Sequence, residues 1–220
     1  ELDIDGALVL EPVAQDPQII RLKDRGVSVV SIGRPPDAEP PLPYVELQTG
    51  VTGLLLLDHL FEQGVRRISL LIGSQLRHSY IEFERVYRSF VQAHGLPCLI
   101  AKADEYGGED AGRTACRQLL ADEPAIDAIC APVDAFATGA IKALLEMGRS
   151  VPHDVMVVTR YDGLRAQNCK PPITAVNLHL EEVSSLAVEL LFEHICGDSR
   201  REVVVGPTPD LIVRESSKLR

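Results

Sequence analysis

The 220-residue chain has no tryptophan, only two methionines and fewer positive charges than negative ones. Its 22 Lys and Arg stand against 32 Asp and Glu, a formal net charge of -10. That balance repels a phosphate backbone unless a basic patch is concealed. The longest basic runs are Arg66-Arg67 and Arg200-Arg201, so direct nucleic-acid binding by these residues is not expected. Long hydrophobic runs are also missing. The stretch around Leu54–Leu57 is far too short to span a bilayer, and no membrane partner is expected. The first residues, Glu1-Leu2-Asp3-Ile4-Asp5, carry no signal-peptide pattern. The five cysteines are odd in number and widely spaced, with no C-x-x-C. Free thiols in a reducing cytoplasm are expected rather than a disulfide framework.

Motifs that carry chemistry are lacking too. There is no G-x-G-x-x-G, no phosphate loop ending in G-K-[ST] and no G-x-S-x-G elbow. Gly107-Gly108 with Gly112 lacks the lysine and reads as a loop and helix start. No two of the six histidines stand at the i, i+4 spacing of a helical metal pair, and the placing of the cysteines suggests no zinc site. Asp3 and Asp5 form a D-x-D with no further acidic ligands at calcium-loop spacing. Neither an enzyme nor a cofactor or metal site is expected. Of the histidines, His78 alone is expected at a ligand-facing loop, and the other five at the surface or at helix ends.

What the chain does contain is alternation. Short runs rich in Val and Ile, such as Ala7–Leu10, Val27–Ile32, Ile68–Ile72, Ala128–Ala131 and Val155–Thr159, are separated by segments of helical period. Asp16 ahead of Pro17 reads as a helix N-cap, and Gly26, Gly95 and Gly148 read as helix ends. Five prolines between Gly33 and Pro43 mark an irregular loop. Fully apolar strands alternating with helices imply an α/β fold of parallel sheets covered on both faces. The strands are too many for one sheet, so two doubly wound lobes with a cleft between them are expected. Ligands in such folds sit beyond the carboxyl ends of the strands. The loops after Ile72, Ala131 and Thr159 are therefore the ones to inspect.

Six segments, in order, carry a resemblance. His59-Leu60-Phe61-Glu62-Gln63-Gly64-Val65-Arg66-Arg67-Ile68 through Gly73 is similar to a helix-to-strand passage H-L-x-x-x-G-H-R-R-I. Arg85–Phe90 with His94-Gly95-Leu96, Pro124–Ala140, Val151–Val155, Pro171–Val176 and Leu211–Ser216 follow in sequence. Together they resemble the effector-binding core of the lac repressor family of transcriptional regulators over nearly the whole chain. The resemblance implies a fold like that of periplasmic sugar-binding proteins, with three crossovers between lobes. It assigns 1–65 with 178–209 to one lobe and 66–177 with 210–220 to the other. It further implies a homodimer, with the helices at Leu54–Leu60 and Leu76–Phe90 at its face, and signalling by hinge motion. Operator DNA would be read by a head domain outside these residues. That head and the first two β-α units, roughly 50–60 residues, are not among them. An uptake solute-binding protein of the same fold is the alternative.

The resemblance also locates candidate ligand contacts. Phe83 stands where family members often hold sugar hydroxyls with arginine, Val133 where they have asparagine ahead of Asp134, and Tyr161 where they have aspartate ahead of Asp162. A fourth polar place falls near Val51. Four anchors have become apolar or aromatic, whereas a buried sugar needs every hydroxyl bonded. With Tyr106 adding apolar surface, and Arg160, Arg77 and His78 available to a carboxylate, a partly apolar organic acid is the expected effector, and a sugar less so. Packing readings stand beside these. Phe83 and Val133 equally suit a core, Asp134 a helix cap, and Arg160 a surface pair with Asp162 or Asp154.

Overall fold

The computed structural model describes residues 3–36, 41–197 and 201–218. Positions 37–40 of the proline-rich loop and Arg200 of the second basic pair lie outside these residues. In chain order the strands are β1 (Gly6–Leu10), β2 (Ser28–Ile32), β3 (Tyr44–Glu46), β4 (Ile68–Gly73), β5 (Leu99–Ala103), β6 (Ala128–Ala131), β7 (Met156–Thr159), β8 (Ala175–Asn177), β9 (Val203–Val205) and β10 (Asp210–Ile212). The helices are α1 (Pro17–Asp24), α2 (Thr49–Glu62), α3 (His78–Ala93), α4 (Gly108–Asp122), α5 (Asp134–Glu146), α6 (Leu164–Asn168) and α7 (Leu180–Cys196).

The chain divides into two compact units: Glu1–Thr49 with Leu76–Glu82 and Leu178–Thr208, and Gly50–Gln75 with Phe83–Asn177 and Pro209–Arg220. Apart from the short excursion at Leu76–Glu82, the chain passes between them at three points. The sequence expects the first passage near residue 65; in the structure it falls at Thr49, so nearly all of α2 joins the second unit. Packing explains this. Phe83 and Val86 of α3 lie against Gly53, and the rings of Phe61 and Phe90 meet edge to face at 6.0 Å.

The first unit is a four-stranded parallel sheet ordered β1-β2-β3-β9. Side chains alternate across a strand, so Val29 and Ile32 face opposite sides. Ile19 of α1 packs with Val29 and Leu42 on one face, and Val183 and Ala187 of α7 pack with Ile32 and Val45 on the other. α1 begins as the sequence implies: Asp16 Oδ1 accepts the Gln18 N–H at 2.9 Å and Pro17 opens the first turn.

The second unit has a parallel sheet ordered β5-β4-β6-β7 and an antiparallel ribbon of β8 with β10. β4, β6 and β7 are buried along their whole length. Leu71, Ile129 and Val157 on one face join Cys116 and Leu120 of α4 and Phe136, Ala140 and Leu144 of α5 in one cluster. α4 and α5 approach so closely that a Cβ at Gly139 would stand 2.1 Å from the Glu109 carbonyl oxygen. On α3 the buried Tyr87 hydroxyl lies 2.8 Å from the Ile68 carbonyl and accepts the Leu99 N–H at 2.9 Å, which pins that helix to β4 and β5.

Candidate functional site

In the second unit the carboxyl ends of β5, β6 and β7 lead into the segments Asp104–Gly107, Pro132–Asp134 and Arg160–Gly163. The last of these is the most elaborate. Thr159 closes β7 by donating from Oγ1 to the Ala131 carbonyl at 2.7 Å. Arg160 follows and is only 2% exposed, with its guanidinium carbon 5.0 Å from the Tyr161 ring centroid, within cation–π range. Arg160 is thus buried rather than the solvated surface group considered for it. Asp154 accepts from the backbone and hydroxyl of Ser150, which hold its carboxyl below the ordinary value. Asp162 accepts from Arg214 Nη2 at 2.5 Å, with both side chains under one-fifth exposed.

The sequence reads 160–170 as a plain loop, but five residues form α6, entered through Gly163. Arg165 on its first turn reaches Asp134, with Nε 3.3 Å from Oδ2. Asp134 is the first residue of α5 rather than its cap. The cap position is Val133, which makes no side-chain cap bond and packs on the α4–α5 core. The loop after β7 and the start of α5 are thus tied together by Arg165, and Arg160, Tyr161, Asp162 and Asp134 form one group.

The other candidates in this unit do not join it. Phe83 is 1% exposed and spent on packing against Gly53, the core reading allowed by its sequence. Val51 is exposed on α2. Tyr106 is 82% exposed in a 3-10 turn after β5, its N–H held by Asp104 Oδ1 at 3.1 Å.

Arg77 and His78 belong to the first unit. Arg77 forms a bridge with Val13, and its guanidinium donates to the Glu11 carbonyl. His78 opens α3 near Glu11, Arg34, Glu46 and Glu82. Burial, aided by the Arg34 charge, lowers its pKa below the ordinary imidazole value, while Glu46, Glu82 and Glu11 pull the other way. Most of these neighbours stand at the carboxyl edge of that sheet: Glu11 follows β1, Arg34 follows β2 and Glu46 ends β3. Gln48, two residues past β3, donates from Nε2 to the Gly206 and Pro207 carbonyls at 2.8 and 2.9 Å. Ser79 is 6% exposed, and its Oγ has no hydrogen-bond partner among the described residues.

Sequence reasoning missed Glu11, Glu46, Gln48 and Ser79, although Glu11 and Glu46 lie directly at strand ends, a usable signal. It also missed Arg165 and Arg214, which sit far along the chain from the residues they hold. His59 stands in the last turn of α2, a helix-end position as expected, and is buried there. That residue is 7% exposed, and its Nε2 lies 2.8 Å from Ser217 Oγ. A cavity of about 660 Å³ in the first unit, between the β1–α1 loop and Pro35-Pro36, is lined by none of the candidates.

All five cysteines are free thiols. Among the described residues no cluster of His, Cys, Asp and Glu is arranged to hold a metal, and no helix is long and apolar enough to cross a membrane.

A family model described as a periplasmic binding protein-like domain matches residues 57–217. The HTH-type transcriptional regulator CelR of Thermobifida fusca is 33% identical over 218 residues, 97% of this chain and 63% of that protein. The HTH-type transcriptional repressor MelR of Bacillus subtilis (strain 168) is 28% identical over 226 residues, again 97% and 63%. The chain thus spans less than two thirds of these relatives. Among solved structures, a transcriptional regulator CelR–cellobiose complex is 33% identical with a TM-score of 0.88, covering 96% of this chain and 65% of that one. The regulator CcpA of Lactococcus lactis, at 20% identity and a TM-score of 0.87, shares the fold.

Proposed function

The chain belongs to the periplasmic-binding-protein-like family, among its lac-repressor-type regulators, and on that premise we propose that it is the effector-sensing part of a DNA-binding transcriptional regulator, with a carbohydrate as effector. One observation supports this above the rest: similarity over 97% of the chain to a regulator whose solved relative holds cellobiose. The protein acts by binding rather than by catalysis. It works in the cytoplasm as a homodimer, and operator DNA is read outside these residues. The relatives are regulators, which disfavours the uptake alternative.

The carbohydrate replaces the organic acid expected from the sequence, and the reason is physical. That expectation counted Phe83, Val133, Val51 and Tyr161 as apolar ligand surface. Phe83 and Val133 pack into the protein instead, Val51 is exposed on α2 and Tyr106 in the turn after β5, and only Tyr161 remains within the polar group after β7. The groups around it are hydrogen-bonding ones: Asp134, Arg160 and Asp162. Such groups satisfy hydroxyls that would be costly to bury unpaired, and an aromatic face suits the apolar side of a sugar ring. The effector then acts by favouring one conformation of the regulator through its differential affinity.

Calorimetric titration of the full-length protein with cellobiose, glucose and benzoate tests the reading. Cellobiose is expected to bind, and Tyr161→Ala to weaken it by roughly tenfold, about 1.4 kcal/mol. Benzoate binding without any response to cellobiose would restore the organic acid. An operator-fragment mobility shift that cellobiose leaves unchanged would remove the regulatory role.

A further inference from the structure

We propose that Arg214 is a positioning residue: through Asp162 it couples the loop after β7 to the β8–β10 ribbon. The inference rests on the reading above only in taking that loop as the one that meets the effector.

The ribbon has a particular place in the chain. β8 ends at Asn177, immediately before the passage to the first unit at Leu178, and β10 begins at Asp210, just after the return at Pro209. The two strands pair Asp210 with Asn177, Leu211 with Val176 and Ile212 with Ala175. Two of the three passages between units therefore start from one small antiparallel element.

At a single residue the loop is fastened both to β8 and to the segment that follows β10. The Asp162 N–H donates to the Val176 carbonyl of β8 at 3.1 Å. Its carboxylate takes Arg214 Nη2 at 2.5 Å, two residues beyond the end of β10. The same guanidinium donates from Nη1 to the Ile173 carbonyl at 2.9 Å, and the Arg214 N–H donates to Thr174 Oγ1 at 2.8 Å. A planar guanidinium that serves a carboxylate and a main-chain carbonyl at once fixes their relative position. With both side chains under one-fifth exposed, solvent and salt screen the pair weakly.

The segment after Arg214 is anchored with equal care. Ser216 Oγ donates to the Val157 carbonyl of β7 at 2.5 Å and accepts the Thr174 N–H at 2.9 Å. Ser217 Oγ donates to Thr174 Oγ1 at 2.6 Å and meets His59 Nε2 at 2.8 Å. Ser216 and Ser217 thus hold the segment on the core, while Arg214 alone reaches forward to the loop. A shift of Asp162 toward a ligand must drag the ribbon or break the Arg214 pair.

Hydrogen–deuterium exchange in the full-length protein tests this, with and without cellobiose. In the ligand-free protein R214Q is expected to speed exchange in peptides spanning 160–164 by about tenfold, as expected when a partly buried ion pair that closes a local opening is lost. D162N should do the same from the carboxylate side, which covers the case in which R214Q folds poorly. R214K should restore part of the protection, since the ammonium keeps the charge but lacks the planar fork that spans the two acceptors.

With saturating cellobiose, the unmodified protein should gain protection in the loop and in the ribbon peptides at 175–177 and 210–212. R214Q should gain it in the loop alone. Ribbon protection that persists in R214Q would overturn the proposal, because a merely structural arginine leaves the ligand's effect on the ribbon intact. If cellobiose changes nothing in the unmodified protein, the carbohydrate reading fails. The ligand-free comparison still decides the coupling: equal loop exchange in the unmodified protein and R214Q overturns it.

Discussion

The two units share one architecture and differ in how tightly it is built. In the second, the three strands β4, β6 and β7 are buried throughout and one apolar cluster runs from β4 to α5. In the first, β1 is half-buried with Leu10 73% exposed at its end, and β9 alternates with two of its three valines exposed. Backbone strain follows the same division. Among the described residues, the non-glycine positions with positive φ, namely Glu11, Gln15, Gln48 and His179, all belong to the first unit. Such conformations cost of order 1 kcal/mol or more and persist where the surroundings enforce them. Glu11 follows β1 and lies near His78, and Gln48 stands two residues past β3. The comparison teaches a division of labour: a dense platform carries the loop with Tyr161 and Asp162, and a thinner, strained unit carries polar groups at its strand ends.

The sharpest way to break that comparison is to place one methyl group in each unit. Gly139→Ala puts a Cβ 2.1 Å from a main-chain oxygen and 2.7 Å from the Arg113 nitrogen, neither of which yields without separating α4 from α5. Overpacking of this kind costs typically 1–3 kcal/mol and occasionally more. The expected loss is about 3 kcal/mol, read from the urea midpoint at constant slope. Gly6→Ala in β1 meets Ile195 Cδ1 at 2.7 Å and the Leu191 methyl carbons at 3.0 and 3.2 Å, the far ends of flexible side chains. Its cost is expected to stay below about 1 kcal/mol. Equal losses from the two substitutions would show that the α4–α5 contact has slack and that the second unit is no denser than the first.

Much of this was legible in the residues themselves. The burial of β4, β6 and β7 follows from uninterrupted apolar runs, and the start of α1 from Asp16-Pro17. These are local signals, and local signals set local structure. The site was legible only in part. The segment after Thr159 was singled out by its place beyond a buried strand, and Arg160, Tyr161 and Asp162 as candidates by the family resemblance. Their partners were not, because Arg214 lies 52 positions from Asp162 and Ser217 lies 158 from His59. No periodicity records contacts at that separation. Phe83 misled for a related reason. A position that faces ligand in a family faces Gly53 here, and the space a glycine leaves becomes visible only when two helices are laid together.

The smallest expected effect concerns pH and separates the units by one histidine each. His59, in the second unit, is 7% exposed. Burial lowers its pKa below 6.5, with the Ser217 bond and Glu62 opposing. Above pH 6.5 the imidazole is neutral in both folded and unfolded chains, so it contributes no pH dependence. Below 6.5 the unfolded chain takes up the proton first, and stability falls until the folded imidazole protonates as well. The slope is at most about 1.4 kcal/mol per pH unit for each such group. His78, in the first unit, shifts in the same direction but is only half-buried and faces three carboxylates that oppose the shift. Its share should be smaller. Glu84, held below its ordinary 4.5 first by Lys102, titrates at lower pH and leaves this window clear. Urea unfolding at pH 7, 6 and 5 should therefore show stability decreasing with acid. His59→Gln, whose amide can still meet Ser217, should remove part of that decrease, and His78→Gln distinctly less. The opposite order would mean that the thinner unit, not the denser one, holds its histidine away from protons.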